Sequence, residues 1–219
     1  MKTTLKTLFP LLALSVPAAD AATTLNPANR ARVSFNGNKS TTSDFLTATT
    51  TSSGMVVGDA SNDDTVHSAI FNFNVSTVTS QIADATQILF YVTPTSIVGD
   101  TVPDIRLVAL TNDSNSTTGA RSTAAGTIVA TLPLASITAN TTLAFDVTSY
   151  VKADALAGTY SSFRMESILE ASNGGGTDYV LLGTIGTNDA RLEIIPEPSS
   201  GFLASTAAMM ILAMRRRRN

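Results

Sequence analysis

The side chains in this chain that could do chemistry fall into a few small groups, and none completes a catalytic set. His67 is the single imidazole. A Ser-His-Asp relay would need it as the base, beside a serine in a special setting, and no Gly-x-Ser-x-Gly elbow occurs. His67 therefore reads as an ordinary histidine at the surface or at a strand end. Glu166 and Glu170 offer the two carboxylates that a glycosidase holds at a set separation across its bond. Placed on and just after an extended run, they read instead as a solvated ladder with Arg164 or Arg191. Asp59, Asn62, Asp63 and Asp64 make the densest oxygen cluster. Ca2+ takes oxygen ligands of this kind from short acidic loops, but the turn glycine and closing glutamate of an EF-hand are missing. The cluster is a solvated acidic turn or, as the alternative, a Ca2+ loop that Asp100 or Asp104 would join; no other cofactor is implied.

Sugar recognition asks for flat rings on which a pyranose face can stack. There is no tryptophan, so the candidate glycan contacts are Tyr91, Tyr160 and Tyr179, with Tyr150 expected to pack beneath a turn. Asp146 stands on the outward side of a strand before Val147-Thr148, the setting in which an aspartate accepts backbone hydrogen bonds and starts a turn. Cysteine is absent, which excludes thiol nucleophiles, thiolate metal sites and disulfides.

These residues have to be positioned by strands. Phe71, Phe73 and Val75 alternate with Asn72 and Asn74, the period of two that gives a strand one apolar face. The same alternation sets Ile88, Phe90 and Val92 against Leu89 and Tyr91, and Ile105, Leu107 and Ala109 against Arg106 and Val108. Leu143, Phe145 and Val147 follow, then Phe163 and Met165 opposite Arg164 and Glu166. Val180 and Leu182 precede a last strand with Leu192 and Ile194 facing in. Turn clusters at residues 98–100, 112–119, 140 and 173–176 separate the runs. Only residues 147–156 suggest a short helix, with Thr148 or Ser149 as its cap. Residues 22–51 read as an edge strand and loops. The pattern predicts an all-β, antiparallel β-sandwich, jelly-roll-like, over residues 22–195.

Both ends of the sequence carry a different signal. Lys2 and Lys6 precede an apolar run over residues 8–16, and Ala19-Asp20-Ala21 places small residues at −3 and −1, so residues 1–21 read as a signal peptide cut before Ala22. Residues 196–219 read as a sorting segment: Pro196-Glu197-Pro198, an apolar stretch at 202–214, then Arg215, Arg216, Arg217 and Arg218. Prolines bias the residues before them to extended backbone, the form an enzyme cleft accepts. Residues 199–214 are uncharged, fewer than the roughly 20 that span a bilayer with ease. The arginines would stay cytoplasmic and leave the body on the far side of the membrane.

This order of motif, short apolar segment and arginine cluster resembles the PEP-CTERM sorting signal of Gram-negative, exopolysaccharide-producing bacteria. The resemblance implies processing by an exosortase, an integral-membrane, transpeptidase-like enzyme. It also implies export by the Sec translocon, transient inner-membrane anchoring, and delivery to the cell surface or extracellular matrix. The body is similar to secreted DNRLRE-type β-sandwiches at Met55-Val56-Val57-Gly58, at the strand Ala69-Ile70-Phe71-Asn72-Phe73-Asn74-Val75, and at Ile82-Ala83-Asp84-Ala85-Thr86. Phe145-Asp146-Val147-Thr148-Ser149-Tyr150-Val151 and Ala190-Arg191-Leu192-Glu193-Ile194 extend it. That likeness implies a structural or carbohydrate-binding module.

Charge narrows the partners. Of 14 Lys+Arg, the two n-region lysines and the four terminal arginines fall in the end segments; of 17 Asp+Glu, Asp20 and Glu197 do. The 8 cations and 15 carboxylates that remain give a body near −7, which repels nucleic acid and anionic lipid. The expectation is a non-catalytic envelope or matrix protein, with binding of a matrix polysaccharide as the alternative.

Overall fold

In the computed structural model, the described residues are 21–36, 45–49, 55–59, 65–99, 104–111, 125–158, 160–168, 178–183 and 190–197. The compact β unit spans Ala22–Pro196. Among the described residues there are thirteen strands: β1 (Thr23–Leu25), β2 (Asn29–Asn36), β3 (Phe45–Thr49), β4 (Met55–Asp59), β5 (Thr65–Asn74), β6 (Ala85–Val92), β7 (Pro94–Val98), β8 (Ile105–Leu110), β9 (Gly126–Leu132), β10 (Leu143–Asp146), β11 (Tyr160–Ser167), β12 (Asp178–Leu182) and β13 (Arg191–Pro196). Two α-helices join them, α1 (Thr79–Ala83) and α2 (Thr148–Ala157), with a 3-10 turn at Leu134–Ser136. All pairings are antiparallel. The protein is an all-β sandwich.

One sheet has four strands in the order β1-β13-β6-β10. The other has nine, running β7-β12-β4-β5-β11-β8-β9, with β2 on β5 and β3 on β2. Most neighbours are far apart in sequence, so the chain crosses repeatedly between the sheets, as in a jelly-roll-like sandwich. β2 occupies one edge of β5 over residues 65–72. The other edge of β5 is therefore shared: β11 takes residues 68–74 and β4 takes Val66 and His67. Gly58 stands at that junction with φ +114°, and a Cβ there would come 2.5 Å from the Asp178 carbonyl oxygen. Only glycine accepts both the backbone and the close approach.

The core sits between the sheets. Phe90 of the four-stranded sheet meets Phe71 at 5.5 Å, Phe73 at 5.9 Å and Phe163 at 5.4 Å between ring centroids. Phe145 closes the cluster from β10, 6.2 Å from Phe90. Tilted and edge-on pairs of this kind add about 0.5–1.5 kcal/mol each beyond area burial. Met55, Leu107, Met165, Val180, Leu192 and Ile194 surround them and are buried.

The alternation read from β5, β6, β8, β10, β11, β12 and β13 gives the observed inward faces. The N-terminal region departs from expectation. The expected edge strand is there as β1, at the edge of the four-stranded sheet, but in place of loops the region also supplies β2 and β3, and β2 is an eight-residue strand inside the large sheet. Its Ala31 and Val33 are fully buried.

Candidate functional site

The run Pro196-Glu197-Pro198, expected from the sequence to be a sorting motif, begins inside the sheet. β13 runs between β1 and β6; Ile195 lies opposite Gln87 and, after a register shift, Pro196 opposite Ala85. A proline has no N–H to give a ladder and is tolerated at such bulges and strand ends. Thr86 Oγ1 donates to the Ile195 carbonyl at 3.2 Å, with the Pro196 carbonyl at 3.4 Å. Glu197 follows outside the strand. On the neighbouring strand, β1 starts with Thr23 opposite Ile194, so Ala21 and Ala22 lie just before that ladder. Ala19, Pro198, Arg215, Arg216, Arg217 and Arg218 lie outside the described residues.

The acidic cluster is divided. Asp59 ends β4, is 1% exposed, and stands opposite the buried Asp178 of β12. Asn62, Asp63 and Asp64 lie outside the described residues, as do Asp100 and Glu170. Asp104 accepts the Leu134 N–H at 3.3 Å and so serves the 3-10 turn. Among the described residues, no group of three or more His, Cys, Asp or Glu side chains could hold a metal ion.

His67 is a correction to the sequence reading. It is 7% exposed, and its Nδ1 lies 2.8 Å from the Ser34 hydroxyl, itself buried on β2. The two stand in register across the β2–β5 ladder. Sequence reasoning missed Ser34 because a separation of 33 residues carries no local signal. The pair sits within the sheet and presents no open nucleophile.

Glu166 is a second correction. Instead of a solvated ladder, it is 2% exposed. Arg106 Nε donates to its Oε1 at 2.6 Å, while Arg164 Nε lies 2.7 Å from Oε2 as a charge contact. The carboxylate bridges β8 and β11 from the face turned away from the core. Arg191 belongs to the other sheet and stacks over the Tyr91 ring, 4.6 Å from its centroid.

The tyrosines do not form one platform. Tyr91 lies on the outer face of the four-stranded sheet, while Tyr160 and Tyr179 belong to the nine-stranded sheet on β11 and β12. Tyr91 already has a guanidinium on one ring face. A groove of about 300 Å³ lies between α1 and α2, lined by Thr79, Ile82, Ala83, Lys152, Ala155 and Leu156. It is apolar and carries neither a ring nor a carboxylate, a poor match to the hydroxyls of a sugar.

Asp146 has the local role its sequence setting suggests. Its Oδ1 accepts the Thr148 N–H at 3.0 Å and the Thr148 hydroxyl at 2.6 Å. Thr148 Oγ1 in turn accepts the Ile88 N–H at 2.8 Å, completing the ladder where β10 gives way to α2. These bonds favour the charged form: the Thr148 hydroxyl first, then its N–H, hold the Asp146 carboxyl below the usual carboxylate range. Among the described residues, no helix is long and apolar enough to cross a membrane. No protein-family model matches this chain, and no curated protein matches it.

Proposed function

We propose that the chain is an exported, non-catalytic β-sandwich of the bacterial envelope or exopolysaccharide matrix. In this reading it is handed through the inner membrane and processed at its C-terminal segment by an exosortase. The observation that carries the proposal is the order of elements at the C-terminal end. Pro196-Glu197-Pro198 starts on the final residue of the last strand, and a short apolar stretch and four arginines come after it. A recognition peptide on the outer side of a marginal anchor suits removal rather than lasting attachment. The N-terminal lysines, apolar run and small residues before Ala22 fit the same route.

A non-catalytic body is supported by what surrounds its reactive groups. His67 and Ser34 hold each other within the sheet, and Glu166 is engaged by two arginines. The test is processing in the native host. Replacing Pro196 and Pro198 with Ala is expected to leave the full-length chain in the inner membrane; unchanged size and location would remove the reading.

A further inference from the structure

The motif and the strand share Pro196, which limits access to the motif. Pro196 is both the first residue of Pro196-Glu197-Pro198 and the last residue of β13, so no spacer separates the motif from the sheet. Ile195 and Pro196 are matched to Gln87 and Ala85 of β6, and the Thr86 hydroxyl binds the Ile195 carbonyl. One residue earlier, Ile194 is buried and paired on both sides, to Thr23 of β1 and Ile88 of β6.

An enzyme that takes an extended peptide does so by pairing with its backbone over several residues. On the N-terminal side of this motif those backbone groups are already committed to β6 and β1. The enzyme and the sheet therefore compete for the same residues. Ile195 is only partly buried, and the register is already broken between it and Pro196. Opening can thus run through residues 195–196 and meets a barrier at Ile194, where both neighbouring strands and the core hold the chain. Strand ends open locally at far less cost than the whole fold.

We propose that the end of β13 gates the sorting motif: the motif becomes a substrate only while residues 195–196 are detached from β6. Thr86 acts as the latch and the β1–β13 ladder as the stop. The proposal rests on the exosortase reading above and adds regulation to it. A folded domain is then processed at a rate set by the fraying of one strand end.

The test follows processing of the full-length chain in the native host by pulse-chase and intact mass. A six-residue Gly/Ser spacer inserted between Ile195 and Pro196 keeps the motif intact and frees it from the sheet. Processing is then expected to quicken about tenfold, the scale of one or two strand-end hydrogen bonds. Thr86→Val, which leaves the strand in place, is expected to give about threefold for the loss of one hydroxyl bond. The opposite arm pairs Gln87→Cys with Ile195→Cys, two positions directly opposite each other in a chain with no other cysteine. Once oxidised, this variant should stay uncut until a reductant is added, and the spacer should restore cutting without one.

Equal rates for the parent and the spacer variant, or parental processing of the oxidised double cysteine, would overturn the gate. Pro196→Ala with Pro198→Ala in the spacer background separates the two ideas. If that variant is trapped while the spacer alone gives no acceleration, only the gate fails. If it is processed like the parent, the exosortase reading fails and the gate with it.

Discussion

The two sheets treat their outward faces differently. In the four-stranded sheet the outward residues Gln87, Leu89 and Tyr91 of β6 and Arg191, Glu193 and Ile195 of β13 are half-buried. In the middle of the nine-stranded sheet, the outward residues Ile70, Asn72, Ser162, Arg164, Glu166 and Val108 are buried, and Val33 joins them from β2. A polar side chain means something different in each place. On the small sheet it marks the wet side of an alternating strand. On the large sheet it must find a partner, because a buried charge or hydroxyl without one is costly. Glu166 with Arg106 is the outcome on that face, and His67 with Ser34, on the parity of Ala69 and Phe71, meets the same need on the other.

Point changes that treat matched residues on the two sheets unequally would sharpen this contrast. The largest effect belongs to the ring that ties the sheets together. Phe90→Ala should cost about 3–5 kcal/mol in urea unfolding, since it empties the space among Phe71, Phe73, Phe145 and Phe163. A loss below the cost of a surface change would mean that the sheets are not packed through this cluster.

The most informative pair is Glu166→Gln against Glu193→Gln. Removing the buried carboxylate leaves two guanidiniums facing a neutral amide, at a cost of about 3 kcal/mol. Glu193, outward on the small sheet, should stay within about 0.5 kcal/mol. Equal effects in thermal or urea unfolding would erase the distinction between the two faces. Ser34→Ala comes next, at about 1–2 kcal/mol for depriving His67 of a buried partner. Ser161→Ala offers a second buried hydroxyl on the large sheet, bonded to Asp154, for comparison under the same conditions.

The smallest effect is electrostatic and lies on the small sheet. Folding lowers the Asp146 pKa below its ordinary 3.8 through the two bonds from Thr148. Its contribution is therefore fully present above the unfolded value and is lost as pH falls through the lower, folded one. Asp146→Asn should flatten the acid limb of the stability curve below pH 4 or so and leave neutral pH little changed. Because this side chain is exposed, solvent screening keeps the effect small. An unaltered acid limb would mean that Thr148 does not favour the charged form.

The same contrast explains which parts of the fold were legible in the sequence. β6, β10 and β13 alternate because one side is wet, so Phe90, Phe145, Leu192 and Ile194 announce their faces. β4 and β11 are buried almost throughout, and there polarity no longer reports exposure, so the charges of Glu166 and Arg164 suggest a solvated face that the fold does not have. β2 hid behind its arginines, although Ala31 and Val33 alternating with Arg30, Arg32 and Ser34 carried a usable period of two. Ser34 and His67 meet only through long-range strand pairing, which no local pattern encodes. The run Pro196-Glu197-Pro198 is legible as a string of residues. That its first proline is also the last residue of a strand emerges only from the register of β13 on β6.

Intact-mass measurement of the protein recovered from the native host, comparing inner-membrane and surface or released fractions, tests the central claim most directly. The account predicts a surface or released form that begins at Ala22 and has lost the apolar stretch and Arg215, Arg216, Arg217 and Arg218, with the uncut chain confined to the inner membrane. A full-length chain with the four arginines in place at the cell surface would contradict it.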